Sequence, residues 1–526
     1  MKKIIFNLVF AFIILFCLEL ADYLFSLFNQ NYFFSFSFND KLFIIFAFVI
    51  TFLKFKTKIM FFSLFFFLIF LEFLNFNFFG KLVAPYDILL FFEHFVEIAD
   101  GFKDAYNYIF TPFISTIIPF LILFIISKFI DKYLFLYPKL SYLLIVGLLA
   151  LPIGVANKIY IKHKEAKERN PKLYTPAIKN MINSISYFSV VTLPKHFQKV
   201  EIKNFKPLIK KETPKVNIIF IIGESFRYKN CHLLGYSKNN MPLLSKIKDE
   251  IKYKETISAG TMTKVSVSYM LNGVKSVDEV SKIFTHNFSI FKLAKENNFS
   301  TSFITAQSSN AFKYIYNLID INHIDSLKTP KEILHSNQFS ALNDIKLLNI
   351  IKNFNLKKPN LIVLQMNGSH FPYSDKSPKK YKLFKNEYDN SIVYTDYVLY
   401  SIINYIKNQK EILPTFIFFV SDHGELLGEY GHRGHGRLEK EVFEVPFIFY
   451  SNKKDKTIEN FLNNQKILSQ NDITKMIYHL LGYKIELIPN NHREVFVTGR
   501  DLAGYVGYKK IKIDDTNLSI SKTLYK

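Results

Sequence analysis

Apolar and polar positions divide the chain into two unlike halves. Up to about residue 157 the apolar residues come in long, nearly unbroken runs, at 4–25, 42–55, 60–79, 113–129 and 140–156. About 20 consecutive apolar residues are needed for a helix to cross the hydrocarbon of a bilayer. Five crossings are therefore predicted, the second being short and needing its flanks to complete the span. Beyond residue 215 the runs shrink to strand length, at 216–222, 302–305, 360–365, 415–420, 445–450 and 495–498. Helical patterns at 242–251, 289–296, 341–351, 391–407 and 473–481 lie between them. Short apolar runs alternating with helices predict an α/β sandwich around a mostly parallel sheet.

Basic residues orient the first half. Lys2 and Lys3 precede the first span; Lys54, Lys56 and Lys58 separate the second from the third; Lys128, Lys132 and Lys139 separate the fourth from the fifth. The alternate loops are acidic and aromatic, with Asp87, Glu93, Glu97, Asp100 and Asp104 in the longer one. Positive loops stay cytoplasmic, so an odd number of crossings places everything after Ala156 outside. The basic run that follows the last span, from Lys158 through Lys172, opposes this, but long domains translocate largely regardless of charge. Within the long outer loop, Pro85-Tyr86-Asp87 and Leu89-Leu90-Phe91-Phe92 read as an amphipathic segment lying in the interface; His94 reads as an ordinary interfacial residue. Nothing near Cys17 to Asp22 resembles a cleavage site, so the first span is expected to be retained.

Residues 158–214, basic at first and then punctuated by Pro171, Pro176, Pro194, Pro207 and Pro214, form a linker with one or two helices at the membrane surface. The expected domains are thus 1–157, a membrane domain; 158–214, the linker; and 215–526, a catalytic domain. The net charge of +23 on 526 residues suits an anionic partner. With no recognition helix, zinc-finger spacing or aromatic RNA-binding signature, that partner is a membrane surface and not nucleic acid. Two cysteines, Cys17 and Cys231, sit in different expected domains, which argues against a structural disulfide.

Two of the expected strands end in chemistry. Residues 216–222 run into Gly223-Glu224-Ser225, and 415–420 into Ser421-Asp422-His423-Gly424-Glu425. Ligands of such sheets bind beyond the carboxyl ends of the strands, so Glu224, Asp422 and His423 share one rim with donors suited to a divalent metal. The small-residue turn from Ser258 to Ser268 leads into a helical stretch and offers Thr261, Thr263 and Ser266 as hydroxyls that a neighbouring metal activates. Their spacing does not choose among the three, and Ser/Thr clusters are most often caps and turns. His370 follows the strand at 360–365; His432 and His435 follow His423. Histidine loops after strand ends suit phosphate or second-metal contact and general acid–base work.

Taken together, Gly223-Glu224-Ser225-Phe226-Arg227, Gly235-Tyr236, Pro242, Gly260-Thr261-Met262-Thr263, Asn367-Gly368-Ser369-His370, Tyr388 through Asp396, Ser421-Asp422-His423-Gly424-Glu425 and His435-Gly436 resemble the bacterial phosphoethanolamine transferases of the alkaline phosphatase/sulfatase superfamily, a group that includes lipid A-modifying polymyxin-resistance enzymes. The resemblance implies Thr263 as nucleophile, zinc held by Glu224, Thr263, Asp422 and His423, and His370 and His435 contacting the phosphoryl group or a second zinc. It implies transfer of phosphoethanolamine from phosphatidylethanolamine to lipid A or another envelope glycan, through a covalent threonine intermediate. It also implies a monomer in the bacterial inner membrane, with a cytoplasmic N-terminus and a periplasmic catalytic domain. A phosphoglycerol transferase of the same superfamily is the alternative. A sulfatase is disfavoured, because no Cys/Ser-x-Pro-x-Arg turn is present. The chain departs from the group in Ala259, where many relatives have Cys, in lacking cysteines for their several disulfides, and in Phe371 after His370.

Overall fold

The computed structural model describes residues 1–34, 41–93, 106–163, 176–197, 200–335 and 341–525. His94, most of the acidic outer loop, and the basic run at Lys164, Lys167, Arg169 and Lys172 lie outside them. The chain divides into two compact units, Met1–Lys199 with Leu427–Arg433, and Val200–Leu426 with Gly434–Lys526.

The first unit is helical: α1 (Lys2–Phe28), α2 (Lys41–Thr51), α3 (Phe55–Phe79), α4 (Pro85–Glu93), α5 (Tyr106–Ile130), α6 (Leu140–His163) and α7 (Ala177–Tyr187). Among the described residues, three helices are long and apolar enough to cross a membrane by length and composition, Lys2–Phe28, Phe55–Phe79 and Tyr108–Tyr133. The expected count of five spans is not confirmed among the described residues. The second predicted span is a helix of 11 residues, about 16 Å at 1.5 Å per residue, against a hydrocarbon core of about 30 Å. In α6 the described apolar stretch is the shorter Leu140–Gly154. Buried polar groups tie this unit together. The Asp22 carboxylate accepts from the Ala177 N–H at 2.8 Å and from the Tyr32 hydroxyl. Glu72 accepts from the Val83 N–H at 2.8 Å and the Asn180 amide at 2.9 Å. Lys58 pairs with Asp131. A polar group withdrawn from water is costly unless it is bonded in this way.

The second unit is built on an eight-stranded sheet. Its strands are β1 (Asn217–Gly223), β2 (Lys252–Ile257), β3 (Ser300–Thr305), β4 (Ser326–Lys328), β5 (Asn360–Gln365), β6 (Thr415–Ser421), β9 (Glu444–Ser451) and β10 (Leu468–Ser469). They are ordered β10-β2-β9-β6-β1-β5-β3-β4. β1, β5 and β6 are buried at every position, which is why their sequences are continuously apolar and not alternating. Ile218, Phe220 and Ile222 join Phe416, Phe418 and Val420 in one core cluster with Val267, Met270 and Ile473; each such side chain stabilises the fold by roughly 1.5–3 kcal/mol on burial.

β9 alone runs antiparallel, to both β6 and β2. The 22 residues between β6 and β9 carry only the short strands β7 (Leu426–Leu427) and β8 (Arg433–Gly434) and short helical turns, so the chain returns without the helical crossover that a parallel pairing needs. The predicted strand at 495–498 is β11 (His492–Thr498). It belongs to a separate antiparallel sheet with β12 (Tyr508–Asp514) and β13 (Asn517–Ile520). The predicted helix at 242–251 forms only the 3-10 turn Leu244–Ile247. Here the Leu243 and Leu244 N–H groups donate to the Asp396 carboxylate at 2.8 Å each, and that bonding replaces a helical ladder.

Candidate metal-centred site

β1 and β6 pair in parallel with Gly223 opposite Ser421, so the next residues, Glu224 and Asp422, emerge side by side at the carboxyl edge of the sheet. Glu224, Asp422 and His423 are all buried, and one ligand atom from each lies within 4.8 Å of the others. The Asp422 Oδ1 accepts from the Ser225 N–H at 3.2 Å and the His423 N–H at 2.7 Å. Its Oδ2 is buried without a hydrogen-bond partner among the described residues. An orphaned carboxylate oxygen of this kind, 3.4 Å from the His423 Nε2, fits a cation, since buried polar atoms are otherwise bonded. The His423 Nδ1 donates to the Gly424 carbonyl at 2.9 Å, which leaves Nε2 as the lone-pair atom facing the carboxylates.

Thr263 opens the helix α8 (Thr263–Asn272). Its hydroxyl lies 3.1 Å from the Glu224 Oε2 and 3.2 Å from the His423 Nε2. One hydroxyl proton is thereby offered two acceptors. Of the other two candidate hydroxyls, that of Ser266 has a hydrogen-bond partner among the described residues, and the Thr261 Oγ1 is buried with none. Thr261 is buried, with its backbone paired to Thr498 and Gly436, and the Ser266 Oγ donates to its own helix at Met262, 3.3 Å away.

Burial shapes the protonation of this rim. Burial and the neighbouring Asp422 charge raise Glu224 above the usual carboxylate range. Burial pushes Asp422 up to about 6. His423 is pushed down to about 4 by burial and by His435, which keeps it the neutral imidazole that ligates metals. His435 goes the other way. Burial lowers it, but Glu425, 3.7 Å from its Nδ1, together with Glu224 and Asp422, overrides that and carries it to about 9.

His435 neighbours both other rings, with His423 and His435 centroids 4.3 Å apart and His435 and His370 6.1 Å apart. His432 is elsewhere: it belongs to the segment 427–433 of the first unit, where its Nδ1 donates to the Phe79 carbonyl at 3.0 Å. Because Glu425 raises His435 against the effect of burial, Glu425→Gln is expected to move the basic limb of the pH–rate profile to lower pH. A pH–rate series on both proteins checks this, and an unmoved limb would separate Glu425 from the titration of His435.

Two supporting residues, Gln307 and Gln470, were not singled out from the sequence. Gln307 donates to the Glu224 Oε2 at 2.5 Å. Gln470 donates to the Ser421 and Asp422 carbonyls at 2.8 Å and accepts from the Ala259 N–H at 2.8 Å; it thereby ties the end of β6 to the turn that carries Thr263. Tyr388 donates to the Ser225 carbonyl at 2.6 Å. Asp389 accepts from Asn230, Tyr236 and Lys238. Much of the Tyr388–Asp396 motif is therefore scaffold for the loop after β1. Nothing in the pattern of one sequence marks Gln307 or Gln470, since their partners are 83 and 48 residues away.

Gly368, at φ +50°, lets the loop after β5 approach Glu224; a Cβ there would come within 2.8 Å of the Glu224 carbonyl oxygen. Gly368→Ala is expected to cost about 1–3 kcal/mol through that strain and clash, read as a lower thermal midpoint together with weakened metal binding. An unchanged midpoint would show that the loop yields freely.

The family described as Sulfatase matches residues 216–483, 268 of the 526 residues, and the chain belongs to that family. Among curated relatives it is 25% identical over 330 residues to the Kdo(2)-lipid A phosphoethanolamine 7''-transferase of Salmonella typhimurium, covering 58% of this chain and 54% of that one. It is 28% identical over 285 residues to the phosphoethanolamine transferase EptA of Helicobacter pylori, covering 49% and 51%. The chain thus matches about half the length of these relatives. Among solved structures, the integral membrane lipooligosaccharide phosphoethanolamine transferase A of Neisseria meningitidis aligns over 90% of this chain and 95% of its own, with a TM-score of 0.54 at 16% identity, a likeness of fold.

Proposed function

We propose that the protein transfers phosphoethanolamine from phosphatidylethanolamine to lipid A or another envelope glycolipid, using Thr263 as the nucleophile. The observation that carries this reading is the convergence of the Thr263 hydroxyl with Glu224, Asp422 and His423 around the unpartnered Asp422 Oδ2. The activities for which the relatives are named supply the transferred group.

Glu224, Thr263, Asp422 and His423 would hold the zinc that the family resemblance implies; their oxygens and imidazole would equally accept manganese. A divalent cation in that position lowers the pKa of the threonine hydroxyl and offsets charge on phosphate oxygens. With its hydroxyl proton released to solvent, the Thr263 Oγ attacks phosphorus, the bond from phosphorus to the glycerol oxygen breaks, and diacylglycerol leaves after its oxygen takes a proton from His435. Phosphoethanolamine is then esterified to Thr263. An acceptor hydroxyl or phosphate, its proton taken by the same histidine, attacks phosphorus and frees the threonine. His370, whose ring centroid lies 6.1 Å from that of His435, contacts phosphoryl oxygens.

On this reading the protein is a monomer of the bacterial inner membrane, with 1–157 as anchor, 158–214 as linker and 215–526 as a periplasmic catalytic domain. The charge argument for this orientation holds with five crossings; with the three long helices alone, Lys54, Lys56 and Lys58 would fall on the outer side. The test is incubation of the purified protein with phosphatidylethanolamine carrying a labelled headgroup, followed by mass spectrometry of envelope glycolipid. The expected result is an acceptor heavier by one phosphoethanolamine, with diacylglycerol released. Labelled phosphoglycerol on the acceptor, or no transfer from either lipid, would overturn the reading.

A further inference from the structure

The loop after β3 makes one contact that the proposed chemistry does not use. β3 is separated from β1 by β5 in the sheet, so a side chain from its end has to cross two inter-strand spacings, nearly 10 Å, to reach Glu224. Gln307 does so. It is 7% exposed, and its Nε2 donates to the Glu224 Oε2 at 2.5 Å and approaches the Met366 carbonyl at 3.4 Å. The backbone that presents it is fastened at each step. The Gln307 N–H donates to the Thr305 Oγ1 at 3.1 Å, and that hydroxyl donates to the Gln365 Oε1 at 3.0 Å. Ala306 donates to the Gln365 carbonyl at 2.8 Å and accepts from the Leu342 N–H at 2.7 Å.

The two oxygens of Glu224 are not equivalent. Oε1 accepts from the Ser225 hydroxyl at 2.8 Å. Oε2 accepts from both Thr263 and Gln307. Once Thr263 has lost its proton, whether as an attacking oxygen or as a phosphate ester, it no longer donates to Oε2. Gln307 is then the remaining donor there among these contacts. An amide has no proton to lose in this pH range, so its bond persists through both half-reactions.

We propose that Gln307 is a positioning residue that holds the Glu224 carboxylate in its ligating orientation while Thr263 cycles between hydroxyl and ester. This rests on the metal reading of the site. Outer-shell partners of a ligand typically set about 10–100-fold of metal affinity, so the effect is read on the metal itself. Zinc is titrated into the full-length apo-protein in detergent against a chromophoric chelator, for the wild type, Gln307→Met and Gln307→Asn. Methionine keeps the volume without a donor; asparagine keeps the amide but is one methylene too short.

The expected result is a wild type that takes up zinc at the Glu224 site and variants whose zinc dissociation constant is about 10-fold or more weaker, with the apo thermal midpoint unchanged. Equal zinc affinity in either folded variant overturns the role of Gln307 and leaves the metal site standing. A wild type that takes up no zinc overturns both. Should the methionine variant fail to fold, the asparagine variant carries the comparison.

Discussion

Thr263→Ala is expected to abolish phosphoethanolamine transfer, by about 10³-fold or more, equivalent to about 4 kcal/mol of barrier, while the protein stays folded and inserted. The size follows from what is removed. On the proposed mechanism the threonine oxygen is the atom that bonds to phosphorus, so neither half-reaction would retain its covalent route, and removing a nucleophile commonly costs more than this. Thr263→Ser keeps the oxygen at the same backbone position and is expected to retain measurable turnover. Diacylglycerol release from labelled phosphatidylethanolamine measures the first half-reaction on its own. Undiminished release by the alanine variant would transfer the nucleophile's role to another group.

The second large effect is expected from Asp422→Asn. The change is nearly isosteric, and the geometry dictates how the amide sits. The Oδ1 position accepts from two N–H groups, so the amide oxygen takes it and the NH2 group is turned to the Oδ2 position. There it presents protons where the native protein presents an unpartnered, buried oxygen. The oxygen proposed as a metal ligand is replaced by a donor with the local backbone undisturbed. Zinc affinity is therefore expected to fall by more than the 10–100-fold attached to outer-shell changes, and transfer to fall with it. Zinc content by elemental analysis, alongside turnover, checks this; full zinc content in a folded variant would remove Asp422 from the ligand set.

The rim was legible in the sequence because parallel strands buried on both faces are written as unbroken apolar runs. The residue after each run is therefore at the edge of the sheet without further modelling. That is why Glu224 and Asp422–His423 stand out together although nearly 200 residues separate them. The choice of Thr263 over Thr261 and Ser266 was not legible from spacing: all three follow one glycine closely, and only the entry angle of α8 turns one of them to the carboxylates. β2 escaped notice because Lys252-Tyr253-Lys254-Glu255-Thr256-Ile257 is exposed at one end and buried at the other, so it shows neither alternation nor a continuous run. The direction of β9 was hidden for a related reason: burial makes a strand apolar whichever way it runs. In the helical unit, hydropathy located the helices, but apolar character alone did not report that α2 stops at 11 residues.

The most direct measurement of the central claim is an anomalous-scattering map at the zinc edge from crystals of the zinc-loaded protein. The account predicts a peak bounded by Glu224, Thr263, Asp422 and His423, with ligand distances of about 2.0–2.2 Å. A map without a peak there, or one whose only peak lies away from Thr263, would contradict it.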